Sequence, residues 1–594
     1  ACLACLGYVG VYANTHGDLR KLTRGYDSEK QLCGLDIPDR KFLFYCRSVT
    51  SKEFLLTSPV CVPACGGENA TIASLSAYCP GNSTGYESRS IGHWCLPADL
   101  QRLEEVMSEL TGRNIFSRII AIWRDCKASS KIVFPTVAIA AVLTGYMYLF
   151  FLHTCAVQLI YVCELVMVGG CFGVGYRLFQ EVADGQTLNF VGHSASYNLT
   201  LGISAAFCVL GFFLFCLFCV QNKKIGTAAG VIEAACECMV EEPTLLIEPL
   251  LSIMSKLAML GAGLIGLSVI VTTGEVELVG KMGIRREFTY RPEQWCFLGF
   301  SLFMLIWLLE FTHALSQYVL AFTTQLWYFT PYVHGTNSKV DRKACGVFKG
   351  YCNAFRYHLG TLACGSFLIA FLRFVRMALS VVAKVAKMEG NVVLECIGKI
   401  FLCCVTCFER FLAFINKNAY MDVAIASSNF CTAARRAMAL IADEVPAVAV
   451  LNGCQFLFQV CGVGLITSAC VGLTLAATSN VPIFTHRSSP YYVSNPMYVT
   501  AVAGFEGAAV ALCFMTVFDT VGDTILYCFA SEQRRRKNVD RETYRSYREP
   551  RDSSGSGQSM FGCFFGPGED SENSEDESAY APKSLKALIS NHSG

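Results

Sequence analysis

Seven residues within one long apolar stretch, Trp307, Glu310, Ala314, Gln317, Ala321, Thr324 and Tyr328, are spaced alternately by three and four. On a helix of 3.6 residues per turn they share a stripe roughly 100° wide. His313, Tyr318 and Gln325 lie near its borders. An acid, an amide, a hydroxyl and two aromatics therefore occupy one face of an otherwise apolar helix. An ionisable group at bilayer depth costs about 2.5–3.5 kcal/mol, so Glu310 must face protein or a water-filled path. One reading is a packing seam, in which small Ala314 and Ala321 admit a neighbouring helix and Gln317 hydrogen-bonds across it. The other is a site for an organic cation. A quaternary ammonium has no N–H to donate, but aromatic faces compensate its desolvation at about 0.5–2 kcal/mol each. A carboxylate supplies the balancing charge. Trp307 and Tyr328 stand about 30 Å apart along the helix. One site would therefore use one of them with aromatics from other spans. The expected substrate contacts are Trp307, Glu310, Gln317 and Tyr328.

Other ionisable residues lie at membrane depth: Glu164, and Asp519 with Asp523. The two aspartates are four apart and share a face. Either one is protonated or both meet cations from neighbouring helices. Asn416, Asn418 and Asn429 flank an amphipathic segment, with Lys417, Arg435 and Arg436 at or just beyond its ends. It reads either as a gate or as an interfacial helix whose asparagines cap and turn the chain. Asn418, Tyr420, Asp519 and Asp523 are the candidates for a gate or proton relay. No Walker lysine loop, His-Glu-x-x-His or Gly-x-Ser-x-Gly occurs, and no metal or cofactor is expected. Cys403, Cys404 and Cys407 read as a buried thiol patch or a palmitoylation site rather than a zinc centre. Nothing assembles into a catalytic constellation, so an enzyme acting on lipid head groups is disfavoured.

The elements that must hold these residues are transmembrane helices. Of 594 residues, 53% are hydrophobic and only 16% charged, against about 25% charged in an average soluble domain. Apolar blocks fall at 132–152, 154–175, 203–220, 251–272, 296–329, 359–382, 396–426, 456–477 and 498–529, the first two separated by a tight turn around His153. Residues 1–13 read as the end of a first span that begins earlier, giving ten. The fold class is thus all-α, a polytopic membrane protein with about ten helices and a disulfide-bearing extracellular loop. Residues 131–530 form the transport core. Net charge is +1, which predicts no nucleic-acid partner.

Residues 14–130 form the largest polar region before the tail. It carries Cys33, Cys46, Cys61, Cys65, Cys79 and Cys95, and sequons at Asn69 and Asn82. Six cysteines with glycan acceptors suggest an oxidising, external setting, with 15 pairings open. A third sequon, at Asn198, falls in a connection that the same topology places outside. Lys223 and Lys224, the group Lys339, Arg342, Lys343 and Lys349, and the run Arg534 to Lys537 fall in connections that it places inside, as the positive-inside rule requires. Residues 531–594 pass from a basic to an acidic block and read as a disordered cytoplasmic tail.

Several motifs match a family in order and spacing. Gly25-Tyr26-Asp27, Cys33-Gly34 and Phe42-Leu43-Phe44-Tyr45 come first, then Tyr357-His358-Leu359-Gly360-Thr361. The strongest match runs from Phe408-Glu409-Arg410-Phe411 through Asn416-Lys417-Asn418-Ala419-Tyr420 to Asn429-Phe430-Cys431-Thr432-Ala433-Ala434. Asp523-Thr524 with Tyr527-Cys528-Phe529 follows, and Trp307, Glu310, Gln317 and Tyr328-Phe329 also match. From about residue 25 to 530 the chain resembles the choline transporter-like family of solute carriers. That resemblance implies ten spans, cytoplasmic termini, a glycosylated first loop, a plasma-membrane location, and carriage of choline, with ethanolamine a candidate second cargo. The expected mechanism is alternating access, as a uniporter or proton-coupled carrier. The Arg-rich and acidic insertion before Tyr580 departs from the family's shorter tails, and the external loop looks shorter. The alternative function is a membrane-anchored receptor or adhesion protein acting through the cysteine-rich ectodomain.

Overall fold

The computed structural model describes residues 2–29, 31–49, 56–66, 71–81, 83–98, 125–127, 129–183, 189–190, 193–194, 197–279, 285–332, 339, 346–390, 392–443, 445–486, 488–548, 582 and 585. The chain is mostly helical. The major helices are α1 (Cys2–His16), α2 (Val133–Ala183), α3 (Tyr197–Glu241), α4 (Glu248–Val271), α5 (Pro292–Tyr328), α6 (Gly346–Asn353), α7 (Leu359–Met388), α8 (Val392–Ala426), α9 (Phe430–Asp443), α10 (Val445–Asn480) and α11 (Pro496–Arg548).

Prolines sit in the first turns of α4, α5, α10 and α11, where a missing N–H costs nothing and the fixed φ suits the helix. At the start of α5, the Gln294 side chain accepts a 2.9 Å bond from the Arg291 amide. This closes the helix N-terminus.

Six helical stretches among the described residues are long and apolar enough to cross a membrane: Val133–Gln180, Pro243–Val271, Pro292–Tyr328, Gly346–Met388, Val448–Asn480 and Pro496–Arg535. The sequence suggested ten. The expected spans 132–152 and 154–175 both lie in α2, where two helices meet at a kink: the backbone leaves helical geometry at Cys155 (φ −121°, ψ 19°), two residues past the expected turn. At about 1.5 Å per residue, α2 is long enough for two crossings. Leu201–Cys216 is a shorter apolar helix. Within α8, charged residues break up the apolar run.

The core is built around α5, which packs against α4, α6, α7, α8 and α11. α1 meets α4 and α5, with Val9 and Ala13 buried against Ile270.

The all-α expectation needs correction in the cysteine-rich region 14–130. Strands β1 (Phe42–Ser48), β2 (Leu56–Val62), β3 (Ser83–Thr84), β4 (Ser88–Ile91) and β5 (Trp94–Pro97) form one sheet in the order β2-β1-β5-β4, with β3 also paired to β1. Residues Phe42 to Tyr45 supply the aromatic side chains that suit a strand. A hairpin joins Glu275–Val279 to Arg285–Thr289. Three disulfides cross-link the sheet region, Cys33–Cys61, Cys46–Cys79 and Cys65–Cys95, so all six candidate cysteines are paired. Asn69 and Asn82 lie outside the described residues, as does the side chain of Asn198, in the first turn of α3.

The tail also differs from expectation. α11 continues as helix to Arg548 instead of ending in disorder at 531, because Glu, Gln, Arg and Lys are strong helix formers. Farther on, Leu585 is fully buried in the main hydrophobic cluster, which includes Trp327, Tyr328 and Phe529.

Candidate functional site

The candidate residues of α5 separate into an upper and a lower group. At the upper group, Glu310 is buried and pairs with the Arg373 guanidinium of α7 through Nη1. The same arginine uses Nε to reach Glu409 of α8 at 3.0 Å. Glu409 in turn holds Arg376 at 3.1 Å. Two acids and two arginines from three helices thus form a neutral ladder, Glu310–Arg373–Glu409–Arg376. Ionisable residues at membrane depth pair in this way because neither charge alone tolerates low dielectric. Sequence reasoning placed Glu310 but missed Arg373 and Arg376.

One turn from Glu310, Trp307 donates its indole N–H to the Ala363 carbonyl at 3.3 Å. Its ring meets Phe367 edge-on at 5.3 Å, and Phe303 joins both. An aromatic cluster from α5 and α7 therefore adjoins the ladder, as an arrangement that draws its aromatics from more than one span requires. Gln317 is half-buried and its amide nitrogen lies 3.2 Å from His313 Nε2. His313 remains accessible, as Glu310 and most of the C-terminal half of α5 do not.

The lower part of the stripe is closed. Ala314 packs with Tyr420 and Ala433, and Ala321 with Met421, Ala437 and Tyr527. Thr324 bonds back to the Leu320 carbonyl, and Gln325 donates to the Met421 carbonyl at 2.9 Å. Here the small residues do form a packing seam. Tyr328 is buried at the helix end and donates to Glu532 at 2.9 Å, well away from Trp307. The four expected contacts therefore do not share one cage.

Asp519 and Asp523 do meet a cation. Lys417 of α8 bonds Asp519 at 2.8 Å and also Asp523. Of the two alternatives for this pair, the structure displays the one in which a neighbouring helix supplies the charge. Asn418 donates back to the Phe414 carbonyl at 2.8 Å. With Asp523, Asn452 and Tyr527, it lines a small, partly open cavity of about 30 Å³. Tyr420 is buried on Phe430, and a methyl group at Gly365 would collide with its hydroxyl. Asn416 clamps α8 to α7 by donating to the Gly365 carbonyl at 2.7 Å. Asn429 accepts from the Thr432 amide at 3.0 Å and caps α9, as the interfacial reading expects.

Two further clusters were not anticipated. Glu248, fully buried at the start of α4, accepts from Ser316 at 2.9 Å and Tyr351 at 3.1 Å. Asp422 accepts from Tyr527 at 3.0 Å and pairs with Arg436 at 3.2 Å. The signal available for both was an acid beside an apolar run with a hydroxyl or cation on another helix. Among the described residues, no group of histidine, cysteine and acidic side chains is arranged to hold a metal.

Comparison with known proteins supplies the context for this geometry. Residues 205–534 match the family model described as plasma-membrane choline transporter. Choline transporter-like protein 1 of Mus musculus is 23% identical over 583 residues, covering 88% of this chain and 86% of that protein. Choline transporter-like protein 2 of Homo sapiens is 30% identical over 238 residues, 40% of this chain and 33% of that protein. The same-named protein of Bos taurus is 31% identical over 248 residues, 41% of this chain and 34% of its own length.

Proposed function

This chain belongs to the plasma-membrane choline transporter family, and from that premise we propose that it carries choline, or ethanolamine as a second cargo, across the plasma membrane. The observation that supports this most is the Glu310–Arg373–Glu409–Arg376 ladder beside the Trp307–Phe303–Phe367 cluster. A cationic head group needs a carboxylate and aromatic faces together, and here both are held on neighbouring helices. Arg373 already holds Glu409 as well as Glu310, so it can release Glu310 to a substrate without losing its last partner. Gln317 and His313, one to two turns farther along α5, are the accessible polar groups by which cargo approaches. The sealed seam around Ala321 and Thr324 then has to open for cargo to pass toward Tyr328, which is the alternating-access step. Inward movement of one positive charge gains about 2.3 kcal/mol per 100 mV of inside-negative potential, enough to drive a uniporter. Lys417 with Asp519 and Asp523, beside Asn418 and Tyr420, is the candidate gate or proton relay.

The test is uptake of radiolabelled choline by vesicles reconstituted with purified protein. Uptake above that of empty vesicles is expected, and equal uptake by the two overturns the proposal. Glu310→Gln should reduce uptake at least tenfold. If it transports choline normally, the carboxylate has no part in binding cargo.

A further inference from the structure

The end of α5 holds an arrangement that the ladder does not explain. The Lys339 ammonium lies 4.1 Å from the centroid of Trp327, 4.9 Å from that of Tyr332 and 5.6 Å from that of Tyr328. All three distances are within the range of a cation–π contact. The ammonium also donates to the Trp327 carbonyl at 2.9 Å and the Tyr328 carbonyl at 2.8 Å. These are among the last carbonyls of the helix, where its dipole is negative. The side chain is almost completely buried.

Each ring is held at its polar edge by a different carboxylate. Trp327 donates its indole N–H to Glu241 at 2.7 Å, Tyr332 donates to Glu237 at 3.1 Å, and Tyr328 donates to Glu532 at 2.9 Å. Glu237 and Glu241 come from α3 and Glu532 from α11. Three aromatic faces therefore surround one cation, with acids from two other helices behind them. This is the chemistry that recognises a methylated or quaternary ammonium.

We propose that Trp327, Tyr328 and Tyr332 form a binding cage for small organic ammonium ions at the C-terminal end of α5, and that the chain's own Lys339 occupies it here as a tethered competitor. The inference deepens the transport reading and rests on it for the natural ligand, a quaternary amine that has travelled along α5. The cage itself follows from ring geometry. A tethered ammonium competes at an effective concentration on the order of millimolar, so free ligand must exceed that level or wait for Lys339 to leave. Filled by lysine, the cage holds the Lys339 side chain against the helix end; filled by cargo, it releases that side chain.

The experiment is equilibrium binding of radiolabelled tetramethylammonium to purified full-length protein in detergent. Lys339→Ala should add one site per chain with an affinity about tenfold tighter than any seen at the cage in the wild type. Adding Trp327→Ala should remove that site. No gain in Lys339→Ala, with its thermal melt unchanged, overturns the proposal. The wild type gives an independent readout should the variant fold poorly. Acylation of Lys339 by an amine-reactive reagent, followed by mass spectrometry, should speed up several-fold in tetramethylammonium relative to equal sodium chloride. Equal rates in the two salts also overturn it. Because neither readout requires transport, a cage that binds in a protein that carries no choline would sink the transport reading alone.

Discussion

Removing Arg373 should strand Glu310, and the coupling between them can be measured. In Arg373→Ala, Glu409 keeps Arg376 at 3.1 Å, so the acid that loses its direct partner is Glu310, left with only the longer-range attraction of Lys256. Its side chain is 7% exposed, and that of Arg373 is 41% exposed. Breaking a buried pair by removing one partner costs about 3–5 kcal/mol. The guanidinium is only part-buried, so the expected loss is smaller, about 2–3 kcal/mol. Glu310→Gln should cost only about 1 kcal/mol, because Arg373 still holds Glu409 at 3.0 Å and is only part-buried. The double variant should be nearly as stable as Glu310→Gln alone, a coupling of about 2 kcal/mol. Thermal unfolding in detergent reads this as a drop of roughly 2 °C for Arg373→Ala, mostly recovered in the double variant. Additive losses, with coupling below about 0.5 kcal/mol, would show that the pair is not energetically joined.

Gly365→Ala should lower the melting temperature by an amount corresponding to about 1–3 kcal/mol, since the added methyl meets the Tyr420 hydroxyl and the Phe430 ring; an unchanged melt would contradict the packing of α7 on α8. Lys417→Met should abolish uptake and lower stability by about 3–5 kcal/mol by leaving Asp519 and Asp523 face to face. Adding Asp519→Asn and Asp523→Asn should recover the stability but not the transport, and recovery of both would remove these residues from any relay. Burial lowers the Lys339 ammonium from 10.5 to about 8, so the caged lysine sheds its proton more readily than the released one. Rising pH therefore favours the caged, neutral lysine, and tetramethylammonium should bind the wild-type cage up to about tenfold more weakly at pH 9 than at pH 7. Glu237, Glu241, Glu532, Tyr332, Cys238 and Cys528 face the same space. They remain in Lys339→Ala, so a pH response that persists there would be theirs and would count against the lysine.

The membrane class and the six disulfide-bonded cysteines were legible because both are compositional. The stripe on α5 was legible because helical period is a local property of sequence. Its partners were not. Arg373 and Arg376 sit in an apolar run three apart, and only the requirement that Glu310 find a cation could have singled them out. The requirement is general, but choosing among α7, α8 and α11 needs the tertiary arrangement. The aspartates of α11 met the same rule more openly, since Lys417 lies within a conspicuous motif. The strands of the cysteine-rich region were missed for a different reason. Residues 42–45 form a continuous apolar run, and without alternation a short run does not distinguish strand from helix. Lys339 was counted as a topological charge because its loop looks like an ordinary basic connection. Its place against three rings depends on Tyr332, three residues past the Phe329 helix cap, and on acids far away in sequence.

One physical constraint links the two ends of α5. An unpaired carboxylate at membrane depth and a buried, vacant aromatic cage are both costly states, the first for charge and the second for packing. In this structure Arg373 satisfies the first and Lys339 the second. A cargo cation that takes Glu310 over from Arg373 keeps that carboxylate paired, and one that replaces Lys339 keeps the cage filled, so binding becomes an exchange of partners. The displaced side chain must then have somewhere to go: Arg373 keeps Glu409, and Lys339 leaves the cage. Substituting Arg373 with Lys should test this directly. Lysine keeps the charge but loses the planar fork that spans two acids, so it cannot hold Glu409 while releasing Glu310. Choline uptake should fall about tenfold or more in Arg373→Lys even if the melting temperature changes little, and normal uptake by that variant would refute the exchange mechanism.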